Sequence, residues 1–480
     1  MPLINVIQGE RVDTAPLNVR TPVVKLPVWL VLGWWLIKGT ARIVYLACRY
    51  WYVTGPAALL LWLYGRFGWP GPVGLLATLT ATVAGWWFGH RPSCQRFACY
   101  PALARWRRMA YRRRWLPAMV TTRLAVNFGG DTVIPVLLKV RTNGAADTLT
   151  VRMVTGQIPD DFAAAGERLG HTFGALGSRT MPGDRPDRVV IVLRRRDALA
   201  ATVKPFPIPV APDFTALPLG RQEDGETYTL RLHGTQVLVV GATDAGKGSV
   251  VWSLLRALAG GIRSGLVQVW AFDPKGGMEL TPGLPLFARF ACEDFDAMAD
   301  MLDEAVDTMR KRTARLRGHT RQHIPTVDDP LYLIVIDELA ALTAYLTDRK
   351  LKDRIKAALG VLLTQGRAVG VHVVACLQDP RKEVLPFRDL FPTRIGLRLT
   401  EEAHVDLTLG EGARDRGALC DRIPQGPAAA GTAYVVLDGD PAPMRVRFSY
   451  LTDDDITDLA HQYGRLRLID GEWTGEGGAA

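Results

Sequence analysis

The sequence predicts an α/β fold with a central parallel sheet, preceded by a small α+β unit and an N-terminal helical hairpin. Three observations predict it. Four apolar β-formers, Val237–Val240, run into a glycine-bounded loop that opens onto Lys247 and a helical pattern. From residue 237 to 450, nearly continuous apolar strands alternate with amphipathic helical stretches. Strands buried on both faces and joined by right-handed crossovers read this way. Near the N-terminus, two uncharged stretches, residues 51–64 and 69–88, flank a short turn containing Arg66, Gly68 and Pro70.

The elements follow in order. Residues 1–21 form a polar tail without the apolar core and cleavage site of a secretory leader. Residues 26–46 are apolar but interrupted by Lys38 and Arg42, which suits an interfacial helix or part of a further span. The stretch 69–88 carries no charge and is long enough for a bilayer core of about 30 Å. With tryptophan and tyrosine at its ends, the pair 51–64 and 69–88 is expected to be a transmembrane hairpin. Arg105, Arg107, Arg108, Arg112, Arg113 and Arg114 follow it, whereas the turn offers only Arg66. The positive-inside rule then places everything after residue 90 in the cytoplasm of a multi-pass protein of the inner (plasma) membrane. Trp106, Tyr111 and Trp115 interleave with the arginines. The cluster suits nucleic acid, but anchoring to anionic lipid is the preferred role.

Beyond it, residues 148–154 and 188–193 read as strands, and 159–173 as a helix after a cap at Asp160. Pro205, Pro207, Pro209 and Pro212 mark a linker, and Asp224-Gly225 a hairpin turn. Helices are expected to Leu258, over 294–316 and over 351–369, with strands at 267–272, 331–336 and 371–377. The expected organisation is a membrane region with its basic flank at 1–115 and a small α+β domain at 116–205. A motor domain then spans 206–455, and a flexible tail 456–480.

The net charge of +10 over 480 residues favours an acidic polymer or membrane surface as partner. Six scattered cysteines show no zinc-like spacing, which argues against a structural metal site and for free thiols in a reducing compartment.

The loop carries the chemistry. Gly241 and Gly246 let the backbone fold so that consecutive N–H groups face phosphate oxygens, and Lys247 reaches the β- and γ-phosphates. The cradle is Gly241, Ala242, Thr243, Asp244, Ala245, Gly246, Lys247, Gly248 and Ser249. One letter departs from the pattern: the Mg²⁺-holding hydroxyl position after the lysine is Gly248, and a hydroxyl first appears at Ser249. The strand 331–336 ends in Asp337 and Glu338, acids suited to holding Mg²⁺ and polarising a water. The strand 371–377 ends in Gln378, placed to sense the γ-phosphate; His372 and Cys376 within it read as core. These strand ends converge on one crevice. The implied cofactors are ATP and Mg²⁺, with Ser249 and Asp337 as candidate metal ligands.

Gly241 to Ser249, Asp273-Pro274-Lys275-Gly276-Gly277-Met278-Glu279-Leu280, 334–339, 366–372 and Pro392-Thr393-Arg394-Ile395 stand in the order of the FtsK/SpoIIIE-type DNA translocases, which the chain resembles over about residues 225–450. Gly-Lys-Gly-Ser and the short membrane region are most similar to the TraB/TraSA-like transfer proteins of conjugative elements in filamentous bacteria. The resemblance implies a RecA-like motor, a hexameric ring threading double-stranded DNA, and ATP bound between subunits. It also implies a cation supplied in trans, for which Arg367 and Arg394 are candidates, Arg367 preferred for its place beside the strand. Lys275 is a candidate contact to phosphate or DNA. Two features depart: Gly248 removes the usual hydroxyl, and Asp244 stands where the family often has glycine. The stretch after Tyr450 is too short for a winged-helix DNA reader. Competing readings are a chromosome-segregation motor, a secretion-type ATPase moving protein, and a nucleotide-binding scaffold with poor hydrolysis.

Overall fold

The computed structural model describes residues 28–49, 51–128, 131–381, 384 and 387–464, in two compact units, 1–95 and 96–480. The expected tail 1–21 lies outside the described residues, as does the chain beyond Gly464.

In the first unit, α1 (Val28–Arg49), α2 (Trp51–Phe67) and α3 (Pro70–Gly89) precede the short α4 (Arg91–Cys94). The expected helical hairpin forms between α2 and α3. Gly68 turns the chain at φ 63°, and Gly71 lets the helices approach, since a Cβ there would lie 2.7 Å from the Leu63 carbonyl oxygen. Its membrane-spanning character does not follow: among the described residues no helix is long and apolar enough to cross a membrane. α2 has 17 residues and an internal Pro56. In α3, Thr78, Thr80 and Thr82 dilute the apolar surface, their hydroxyls bonded back to carbonyls one turn earlier.

In the second unit, α5 (Tyr100–Thr121) leads to a small ribbon of β1 (Val126–Phe128) and β2 (Asp131–Val133). An antiparallel sheet of β3 (Val136–Thr142), β4 (Ala146–Arg152), β5 (Gly177–Pro182) and β6 (Arg188–Arg194) follows, ordered β3-β4-β6-β5. The predicted helix over 159–173 is broken into α6 (Pro159–Ala164) and α7 (Gly166–Phe173). Gly166 packs so near Ser178 that a Cβ would lie 2.7 Å from its Oγ.

α5 lies on this sheet through a buried polar cluster. Asp147, fully buried, accepts from Tyr111 Oη at 2.7 Å and Arg195 Nε at 2.8 Å, and pairs with Arg107. Arg108 donates to the Leu138 carbonyl at 2.7 Å and Trp115 Nε1 to that of Pro135 at 2.7 Å. Part of the basic, aromatic cluster read as a surface anchor is therefore interior: Tyr111 and Trp115 are core, and Arg107 is committed to Asp147.

The ten-stranded sheet contains β7 (Leu217–Gln222), β8 (Thr227–Leu230), β9 (Val237–Val240), β10 (Val267–Asp273), β11 (Phe287–Cys292), β12 (Leu331–Ile336), β13 (Val371–Leu377), β14 (Thr393–Gly396), β15 (Thr432–Leu437) and β16 (Asp440–Phe448). Its order is β11-β10-β12-β13-β9-β14-β15-β16-β7-β8. The first six strands pair in parallel, as the apolar runs predict. The remaining four extend the sheet antiparallel, a departure from an all-parallel expectation. In β8 buried and exposed residues alternate, the signature of a one-sided strand.

α8 (Lys247–Arg263) packs on one face with α13 (Asp453–Tyr463). α9 (Phe295–Leu316), α10 (Leu339–Thr343), α11 (Arg349–Gln365) and α12 (Glu402–Leu409) belong to the opposite face. α13, capped by Thr452 and Asp455 and burying Ile456, Leu459 and Ala460, occupies residues expected to begin a flexible tail. The proline-rich stretch is a strap across α8 as well as a linker. A Cβ on Gly260 would lie 2.2 Å from the Pro209 carbonyl oxygen, and one on Gly261 2.9 Å from Pro212 Cγ. Cys94, Cys99, Cys292, Cys376 and Cys420 are free thiols.

Candidate nucleotide site

The loop after β9 hangs from its neighbours by backbone bonds. Gly241 N donates to the Leu377 carbonyl at 3.0 Å and Ala242 N to that of Arg398 at 2.9 Å. Asp244 and Gly246 both take positive φ, 59° and 94°. Gly246 is obligatory, since a Cβ there would lie 2.3 Å from Gly431 N. Ala245 is buried, and its carbonyl accepts from Gly431 N at 3.0 Å. Lys247 opens α8 and folds back on the loop, Nζ donating to the carbonyls of Gly241 at 3.0 Å and Ala242 at 3.4 Å. Burial, with Lys275 adding to it, pulls the Lys247 ammonium below its usual value. A phosphate entering the loop would offer it stronger acceptors than these carbonyls.

The loop opens on a cavity of about 750 Å³. Thr243, Asp244, Gly246, Lys247 and Gly248 line it with Asp273, Lys275, Glu279, Asp337 and Gln378, and Gln425, Gly426, Pro427 and Ala430 line it from another loop. The ends of β9, β10, β12 and β13 thus meet, as the strand-end argument predicts. Asp337 is 7% exposed, and among the described residues its carboxylate takes no hydrogen bond or ion pair. Burial first, then the charges of Asp273 and Glu279, push its pKa up to about 6 against the pull of Lys275 and Lys247.

Glu338 is held otherwise. It accepts from Lys275 Nζ at 2.8 Å and, through Oε1, from Ala340 N at 3.4 Å, capping α10. Burial works to lower the Lys275 ammonium, but the bond and charge of Glu338 outweigh it, and the net shift is upward. Fully buried Asp273 organises the turn that carries Lys275 and Glu279, accepting from the backbone N–H groups of Lys275 at 3.3 Å, Glu279 at 3.1 Å and Leu280 at 3.0 Å.

Ser249, Arg367 and Arg394 lie off the cavity wall, and Glu338 reaches it only through Lys275. The Ser249 side chain sits beside Gly431, whose Cβ would be 3.5 Å from its Oγ, and is not on the cavity wall. Arg367 and Arg394 share a second cavity of about 490 Å³ with Arg416, Asp389 and Asp438, and none of its lining residues belongs to the first cavity. Arg394 donates to the Phe391 carbonyl at 3.1 Å and to Asp389 at 3.4 Å. Sequence reasoning missed Asp273, Glu279, the loop 425–430, and Arg398, which donates to the Thr243 carbonyl at 2.5 Å. For Glu279 a signal existed: it stands in the Asp-Pro-Lys run with Lys275.

Among the described residues no three metal-ligating side chains could hold an ion by themselves. Mg²⁺ nevertheless fits the donors present, because it is commonly held by one or two carboxylates with substrate phosphates and water. Asp337 is such a carboxylate, buried and unpaired at the cavity wall.

The FtsK/SpoIIIE family pattern matches residues 199–409, and the actinomycete conjugal transfer protein N-terminal domain matches residues 102–192. The chain carries an FtsK/SpoIIIE domain behind a transfer-protein N-terminal domain. FtsK/SpoIIIE domains are ATPases, and the cavity at the strand ends of this one carries its P-loop. The transfer protein TraSA of Streptomyces ambofaciens is 25% identical over 379 residues, 73% of this chain and 86% of that protein. The DNA translocase SpoIIIE of Bacillus subtilis is 23% identical over 259 residues, 50% of this chain but only 31% of that protein. The DNA translocase FtsK of Borreliella burgdorferi is likewise covered over 33% of its length, at 23% identity. The chain therefore spans about a third of these two translocases. The pCW3 conjugation coupling protein TcpA, in its monomer form with ATPγS, aligns at 19% identity with a TM-score of 0.48, covering 71% of this chain and 96% of that one.

Proposed function

We propose that this chain is an ATP-driven translocase of double-stranded DNA that serves conjugal transfer. The carrying observation is the succession in one chain of a transfer-protein domain, residues 102–192, and an FtsK/SpoIIIE domain, residues 199–409. In this reading the loop N–H groups and Lys247 bind the ATP phosphates, and Lys247 leaves the carbonyls of Gly241 and Ala242 to do so. Mg²⁺, held in part by Asp337, neutralises phosphate charge when bound. Gln378 senses the γ-phosphate from the end of β13. Glu338 accepts the proton of the attacking water once Lys275 turns from it to the phosphate.

The chain acts as a ring, in the proposed hexamer each subunit completing its neighbour's site. Arg367 and Arg394 support this by lying together in a cavity separate from their own P-loop, as a cation supplied in trans requires. Membrane attachment is assigned to the α2–α3 hairpin, whose Leu61, Trp62, Val73 and Leu76 are exposed. The motor then stands on the cytoplasmic side.

The test is ATP hydrolysis by the full chain with and without linear duplex DNA. The reading predicts stimulation that weakens steeply with salt, because phosphate contacts release counterions. A rate indifferent to DNA would favour a protein-moving ATPase or a nucleotide-binding scaffold.

A further inference from the structure

The residue that departs from the P-loop pattern, Gly248, lies directly beneath a carboxylate. A Cβ at position 248 would be 2.2 Å from Glu279 Oε1. Real Cβ atoms do not approach so closely, so a serine or threonine at 248 excludes Glu279 from its present place. Glu279 is not a drifting surface side chain. Its backbone N–H donates to Asp273 at 3.1 Å, and the Trp252 indole packs beside it over the same glycine, where a Cβ would lie 3.7 Å from Trp252 Cδ1. Trp252 is itself buried and wedged against Gly283, where a Cβ would lie 2.5 Å from the indole ring.

Glu279 and Asp337 line the same cavity as Lys247. Asp337 is nine-tenths buried, and among the described residues nothing bonds to its carboxylate. Two carboxylates facing one cavity repel each other, and a cation between them relieves that repulsion. The hydroxyl of Ser249, the other candidate to replace the missing side chain, sits by Gly431, off the cavity wall.

We propose that Glu279 replaces the P-loop hydroxyl and, with Asp337, holds the divalent cation that accompanies ATP, Gly248 being the adaptation that admits it. The remaining coordination positions belong to phosphate oxygens and water. Trp252 is a positioning residue that aims the Glu279 carboxylate. The inference rests on the ATP-site reading and deepens it. It explains two residues together: glycine where a hydroxyl is usual, and an acid inside the Asp-Pro-Lys turn.

The experiment measures Mn²⁺ binding by electron paramagnetic resonance in the full chain saturated with a non-hydrolysable ATP analogue. Fluorescent-nucleotide binding in EDTA serves as a cation-free control. Glu279→Gln should weaken Mn²⁺ at least about tenfold while leaving cation-free nucleotide binding within about twofold. Gly248→Ser alone should also weaken Mn²⁺, because the new side chain evicts Glu279. The double variant Gly248→Ser with Glu279→Gln should recover most of the lost affinity, since the hydroxyl then ligates in the usual way. That rescue separates a cation-binding role from misfolding, which a second substitution would deepen. Unchanged Mn²⁺ affinity in Glu279→Gln, or additive losses in the double variant, would overturn the proposal. Failure of the unaltered chain to bind nucleotide either with or without a divalent cation would instead refute the ATP-site reading.

Discussion

Glu338 carries out two structural tasks in this structure, capping α10 and pairing with Lys275, and neither is hydrolysis. Both contacts are compatible with catalysis if Lys275 leaves for the incoming phosphate, so the side chains of the site have distinct phenotypes. Glu338→Gln keeps the cap and the cavity shape but cannot take a proton. It should bind ATP normally and lose about 10²–10⁴-fold in turnover, checked by steady-state hydrolysis beside fluorescent-nucleotide binding. Gly246→Ala should lose nucleotide binding altogether, because its φ of 94° and the 2.3 Å approach to Gly431 N leave no room for a side chain. Much of this site was legible. Gly241, Asp337 and Gln378 sit at strand ends, which in a parallel sheet share one edge, and Lys247 opens the helix that follows the first of them. Ser249 was misleading because one residue's rotation along α8 carries its side chain to Gly431. The Asp-Pro-Lys run contains Glu279, but its nearness to Gly248 arises from the turn that buried Asp273 organises, and no periodicity reports that.

At the scale of elements, the polar cluster around Asp147 decides how α5 seats on its sheet. Burial alone would raise the Asp147 carboxyl, but hydrogen bonds from Tyr111, Arg195 and Arg107 hold it below the ordinary value. A depressed acid stabilises the fold above its unfolded pKa and loses that contribution as pH falls toward the folded one. The cluster therefore supports the domain at neutral pH and fails only below pH 3.8, the unperturbed value. Asp147→Asn should cost about 3–5 kcal/mol by leaving Arg107 and Arg195 without their charge partner, and should flatten the acid limb of urea midpoints measured against pH. The strap over α8 gives a second check. Gly260→Val meets the Pro209 and Val210 carbonyls and should cost about 1–3 kcal/mol in the same assay. The alternation of strands and helices from β9 to β13 was readable because buried parallel strands are uniformly apolar. The antiparallel strands β15 and β16 were not, since β16 buries Arg447 between Val446 and Phe448 and that charge breaks the apolar run. The basic cluster misled for a similar reason: composition shows six arginines, and only Asp147, across the sheet, shows that Arg107 points inward.

For the whole molecule, the transfer-protein domain and the FtsK/SpoIIIE domain lie in one compact unit, and the apolar hairpin α2–α3 in another. If the hairpin attaches the motor to a lipid surface, the full chain should float with anionic vesicles and a chain beginning at Arg96 should not, in a density-gradient flotation assay. The central claim is that ATP turnover at Lys247 moves the chain along duplex DNA. A triplex-displacement assay tests it most directly, with a third strand paired to one end of a linear duplex. The account predicts that the unaltered chain releases the third strand with ATP, but not with ATPγS, and that Lys247→Ala releases none under any condition. Full ATP hydrolysis without displacement, or displacement by Lys247→Ala, would contradict it.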